Sequence, residues 1–408
     1  MCGFMVMRCV LKHHVCLCVL STAVLAGLAL ITAQTKVYAQ SQNCNGIANS
    51  RATGVPGDPS GDSPNRRIEC DGSGKYERGK KINTLSGNRT IDMDKDLKPA
   101  VKVHNGADIT IVSDTLIITD SSQSKSTSPA IQVESGGKLM LAGNVDIKDV
   151  KKGIVADGKG SSVTVNRGKI GVRAGGGYVI GVQNGGEVTL SRGVMVNSVG
   201  SMGIVVGGTG GSVTLGGTRF TGVNKGIVFM GDKGTANATV MGVGGATISL
   251  ADGNSTGVIM QGTRGANATV MNMTINGGRG SVGAEVTGEG TLMLNMVNIS
   301  QVQMGARVTK GKLTVMGGEI QGNTMGVEVS EKGVLKVMGE ATIGVGRNGT
   351  GLSVTGEGNA TMMGGMIQAS GGDGMTGVIV NTSGDVTLSG GVTISQFKTG
   401  GLCKEGGV

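Results

Sequence analysis

Residues 283–329 decide the fold: GAEVTGEGTLMLNMVNISQVQMGARVTKGKLTVMGGEIQGNTMGVEV. The stretch holds three versions of one short phrase: Gly283-Ala284-Glu285-Val286, Gly305-Ala306-Arg307-Val308 and Gly326-Val327-Glu328-Val329. In each, apolar and polar residues alternate after a glycine, the period-2 pattern of a strand with one buried face. A glycine-rich turn follows, then a second short strand such as Leu313-Thr314-Val315. Another turn leads to a third, such as Val297-Asn298-Ile299. Strands of three or four residues cannot stand as isolated hairpins, so such units must stack on their neighbours.

The phrase recurs on both sides. Further second strands are Val163-Thr164-Val165, Val188-Thr189-Leu190, Val213-Thr214-Leu215 and Val386-Thr387-Leu388. Further third strands are Ala246-Thr247-Ile248, Met273-Thr274-Ile275, Ala341-Thr342-Ile343 and Val392-Thr393-Ile394. The phrase opens at 100, 130, 153, 181, 203, 226, 257, 283, 305, 326, 351, 377 and 401, about 25 residues per turn. The expected fold is all-β, a right-handed parallel β-helix (a solenoid of the pectin-lyase-like kind) over residues 99–408. It has about 12 coils with three short strands per coil, stacked about 4.8 Å apart. Its expected inward stacks are Val286, Val308, Val329, Val354 and Val380, and Ile248, Ile275, Ile299, Ile320, Ile343, Ile367 and Ile394. Thr164, Thr189, Thr214, Thr314 and Thr387 are expected to form an outward row, where β-branched polar residues suit an exposed strand.

Composition agrees. The 408 residues include 78 Gly, 5 Pro, 4 Phe, 3 Tyr and no Trp. Ordinary proteins carry about 7% Gly. An interior Gly costs a helix about 1 kcal/mol, so long helices are excluded. Gly does not recur at every third position, which excludes collagen, and a charged content of 16% is too low for a highly charged disordered chain. The glycines are assigned to corners, where positive φ is needed. No Pro follows Pro129, as paired central strands require. A narrow interior leaves little room for rings. The 22 Met, among them Met316, Met338 and Met363 at strand ends, read as gap fillers.

Residues 1–39 differ from the rest. Arg8 and Lys12 precede an apolar run from Val15 to Ala33, and Val37-Tyr38-Ala39 offers a cleavage site, the layout of a secretory signal peptide. The competing reading is a membrane anchor. The whole chain carries +9, and +6 once Arg8, Lys12 and Lys36 leave, which does not call for nucleic acid. Cys2, Cys9, Cys16 and Cys18 leave with the signal. In an oxidising compartment Cys44 and Cys70 are then expected to pair, closing a loop of about 26 residues. Cys403 is left over, either buried or unpaired in a truncated chain. Residues 40–98 read as a polar leader capping the first coil. Its basic group, Arg66, Arg67, Lys75, Arg78, Lys80 and Lys81 with Tyr76, is read either as a solvated cap or as a contact for an acidic polysaccharide or receptor.

A long signal peptide, a small Cys-containing leader and coils of the form GVxV…GGxVTLxGGxI resemble the passenger of a bacterial autotransporter of the type V secretion family. Gly181 to Leu190 and Gly377 to Ile394 carry the likeness best. The leader is similar to that of Bartonella surface autotransporters. The resemblance implies export through the periplasm to the outer-membrane surface or beyond. It also implies a translocation barrel, which is absent here: the chain ends mid-repeat, and residues 350–408 hold one aromatic, Phe397. Truncation, a separately encoded barrel and a different export route all remain open.

Sites of chemistry are sparse. Gly61-Asp62-Ser63-Pro64 echoes a protease serine, but His104 lies downstream and the residues before it cannot hold the domain. Asp92-Met93-Asp94-Lys95-Asp96 lacks the later glycine and glutamate of a calcium loop. Glycosidases need two carboxylates about 5–10 Å apart. Here Asp157, Asp232, Asp252, Asp373 and Asp385 stand singly at turns, and Glu285 and Glu328 project singly from strands two coils apart. No catalytic residue, metal or cofactor is expected. The expected role is a non-enzymatic adhesin or ligand for a host cell-surface receptor or glycosaminoglycan. Contacts are sought at the inserted turns near 231–236, 252–256 and 262–266. The alternatives are a β-helix polysaccharide lyase or glycoside hydrolase and a self-associating surface protein.

Overall fold

The computed structural model describes residues 44–45, 67–73, 84–86, 88–93, 98–122, 126–191, 193–231, 237–371 and 374–403. The expected signal segment lies outside them, as do Arg66, Lys75, Tyr76, Arg78, Lys80 and Lys81 of the basic group, Gly61 to Pro64, Asp232 and Asp373. The described residues contain strands and no helix. They form a parallel β-solenoid of about 12 turns.

Each coil contributes to three sheets. Around the quoted stretch, Val282–Val286 pairs with the end of Thr291–Val308, which pairs with the end of Lys312–Val329, all parallel. The valine stack is in register, Val286 with Val308, Val329, Val354 and Val380. It continues upstream through Met260, Phe229 and Val206, reaching Val103 and Cys70. Its last described rung downstream is Cys403, which pairs with Val380 and is exposed. The isoleucine stack is also in register from Ile248 to Ile394. Phe220, Val196, Ile170, Ile147, Ile118 and Ile91 extend it upstream. From Cys70 to Val354 and from Ile91 to Ile367 these ladders are buried. Each large aliphatic rung gains roughly 1.5–3 kcal/mol from leaving water.

Four expectations need correction. The threonine row is two rows: Val213 pairs with Val240, and that line runs through Val270 and Leu294 to Val315. Thr314 therefore stands two residues out of line with Thr214, and it is buried. The motif alone hid this, because the corner comes four residues after Val213 and Val240, at Gly217 and Gly244, but two residues after Val270, Leu294 and Val315, at Asn272, Met296 and Gly317. Two openings also shift, to Val179 and Gly400. Rings are accommodated: Phe220 and Phe229 occupy core rungs at 0% and 2% exposure. Finally, the opening glycines lie within extended strands. Gly226, Gly257, Gly283, Gly305, Gly326 and Gly351 face the isoleucine stack of the third sheet, each with an isoleucine Cγ2 within 3.1 Å of where a Cβ would sit. Only a hydrogen fits there. Other glycines do turn corners, as Gly317 and Gly318 do at φ 66° and 78°.

The leader joins the solenoid at its first described rung. Cys44–Asn45 pairs antiparallel with Glu69 and Cys70, and Cys44 and Cys70 form a disulfide. Ile68–Asp71 then pairs parallel with Val101–His104, so the linked cysteine heads the valine ladder.

Candidate functional site

Three polar constellations stand out among the described residues. A groove of about 680 Å³ lies at the corners between the first and second sheets. Successive coils turn there after Val286, Val308, Val329 and Val354, and short glycine-rich turns hold the backbone back from the surface. Gly311, at φ 56°, shows why: a Cβ would meet the Gly290 oxygen at 2.3 Å. Arg264, Lys310, Lys312 and Lys332 line the groove with Glu289, Glu331 and Glu357. Arg264 Nε lies 3.7 Å from Glu289 Oε2, and Lys332 Nζ 3.8 Å from Glu357 Oε2. These exposed pairs contribute little to stability, about 0–1 kcal/mol each. Their charges stay available to a partner.

The second constellation runs along the first coils. Asp71, His104, Glu134 and Asp157 occupy successive register positions. His104 Nε2 lies 3.3 Å from Glu69 Oε1, and Lys102 Nζ 2.8 Å from Glu134 Oε1. The Ser73 amide and the Asn105 Nδ2 donate to Asp71 Oδ1 at 2.9 and 3.0 Å. Burial disfavours the Asp71 carboxylate, but hydrogen bonds from Ser73 and Asn105 and the nearby His104 together outweigh it and bring its pKa down to about 2. Glu134 is likewise held low. Burial opposes its ionisation, and Lys102, Gln132 and His104 more than offset that. Gln183 Nε2 and Asn184 Nδ2 donate to the two oxygens of Asp157, so the ladder is internally satisfied. Among the described residues no group of three His, Cys, Asp or Glu could hold a metal ion.

The third involves Glu285 and Glu328, which project from strands two coils apart. Arg307 stands between them on the same outward line, its Nε 3.1 Å from Glu328 Oε2 and its Nη1 3.6 Å from Glu285 Oε1. A guanidinium fills the space where a glycosidase pair would admit sugar and water. The signal was present in the three quoted phrases, whose third residues read Glu, Arg, Glu.

Compared with protein-family models, with curated proteins and with solved structures, the chain matches none. The site therefore rests on its own geometry. Of the residues singled out from sequence, Arg67 is described and half-buried beside the first rung. The turn 262–266 contributes Arg264 to the groove. Sequence reading missed Glu289, Lys310, Lys312, Glu331, Lys332 and Glu357, because residues about 22 apart meet there only once the coil register is known.

Proposed function

We propose that this chain is an exported, surface-displayed interaction protein whose β-solenoid presents the groove lined by Arg264, Lys310, Lys312, Lys332, Glu289, Glu331 and Glu357 to a host-cell receptor. One observation carries the reading. The groove spans successive coils and is lined with both signs of charge on exposed side chains. Mixed charge complements a protein surface better than a uniformly acidic polysaccharide, since like charges set against each other are costly. The resemblance of the repeats to autotransporter passengers supports display at the bacterial surface, and the signal-like segment at 1–39 supports export.

Binding of the full chain to host cells, with and without heparin, tests this reading. Saturable binding that heparin leaves in place is the expected result. Loss of binding on Lys80→Glu with Lys81→Glu, together with heparin competition, would move the contact to the leader and to glycosaminoglycan. Release of unsaturated sugars from pectin- or hyaluronan-type polymers would replace the binding role with a lyase.

A further inference from the structure

The outward side of the second sheet carries a row of thioethers. Met316 pairs with Met338, and Met338 with Met363, on three successive coils. Each follows an almost fully buried residue, Val315, Val337 or Met362, and so points to the outside. Met316 is 36% exposed and Met363 43%, and Met338 is half-buried. On the coil before, Met296 is 57% exposed, and its Sδ lies 2.7 Å from where a Cβ on Gly317 would sit. The expectation that these residues fill gaps therefore fails, because a gap filler is enclosed. Exposed strand positions ordinarily take threonine or a charged residue, and the packing gives no account of three outward-facing thioethers on successive coils.

We propose that Met316, Met338 and Met363 form a binding site for one monovalent soft metal ion, Cu(I) or its surrogate Ag(I). Thioether sulfur is a soft donor that selects Cu(I) over harder cations. Rungs about 4.8 Å apart hold three unbranched side chains, each with three rotatable bonds, within reach of one ion above the middle residue, Met338. Lys336 lies two residues before Met338 on the same face. Its repulsion doubles for a divalent cation, which favours a single positive charge. Thioethers carry no proton to displace, so affinity is independent of pH, unlike that of thiolate or imidazole sites.

The test uses the full chain with free thiols blocked by N-ethylmaleimide and the methionine methyl carbons labelled with 13C. It is titrated with Ag(I), and with Cu(I) under reductant. The methyl resonances of Met316, Met338 and Met363 are expected to move together and saturate at one equivalent, while that of Met195 stays still. Replacing all three with leucine should weaken binding at least tenfold without changing the circular dichroism spectrum. Should that triple variant misfold, Met338→Leu alone serves, with the same expected tenfold loss. Affinity at pH 4.5 should match that at pH 7 within threefold. Full-strength binding in a folded variant, equal affinity for Zn(II), or resonances that fail to move at one equivalent would overturn the site.

Discussion

Gly283 lies directly against Ile299: a Cβ built on Gly283 would sit 2.3 Å from Ile299 Cγ2 and 2.4 Å from the carbonyl oxygen of Gly305 on the next coil. The glycine opens a strand of the first sheet, the isoleucine is a rung of the third, and their contact sets how closely the two sheets approach. Gly257 with Ile275 and Gly305 with Ile320 repeat the relationship one coil to either side.

Gly283→Ala should therefore destabilise the solenoid by about 1–3 kcal/mol, the usual cost of overpacking. Gly207→Ala meets nothing within 4 Å and should change stability by less than about 0.5 kcal/mol. Urea unfolding of the two variants beside the parent makes the comparison.

Ile299→Ala opens a cavity in the same place and should cost about 2–5 kcal/mol. Combined with Gly283→Ala, it removes the Cγ2 that the new methyl would strike, while the contact with the Gly305 oxygen remains. The double variant should be less destabilised than the two single costs added, by about 0.5–3 kcal/mol. A double-mutant cycle reads this coupling directly, and strict additivity would count against the contact.

Asp71 makes stability depend on acid. Its folded pKa, about 2, lies below the ordinary 3.8, so its contribution is complete above about pH 4 and is lost as the pH falls toward 2. Asp71→Asn should lower stability at pH 6 and flatten the slope between pH 4 and 2. Denaturant midpoints across that range, parent against variant, show whether it does.

Reducing the disulfide between Cys44 and Cys70 releases a loop spanning 26 residues, worth about 3.5 kcal/mol on the chain-entropy account. In a solenoid each coil touches only its neighbours. Faster amide exchange should therefore appear at residues 68–71 and 101–104 and leave 283–329 unchanged.

The register of the long ladders was legible from single residues, because an inward Val or Ile every coil is a one-dimensional signal. Val286 to Val380 and Ile248 to Ile394 were readable for that reason. The threonine rows were not, since Val213-Thr214-Leu215 and Leu313-Thr314-Val315 look alike and turn alike, at Gly217 and Gly317, yet the register sets Val315 in line with Val213 and not with Leu215. The groove was harder still. Glu289, Lys310, Lys332 and Glu357 sit in turns of unequal length, and only the folded register brings them to one corner. The ion ladder at Arg307 could have been found by aligning the openings and reading the outward column.

The most direct measurement of the proposed role is the affinity of the full chain for host cells after charge reversal in the groove. Lys312→Glu with Lys332→Glu should weaken binding at least tenfold while urea unfolding stays that of the parent. A folded double variant that binds host cells as the parent does would contradict the groove as the contact surface.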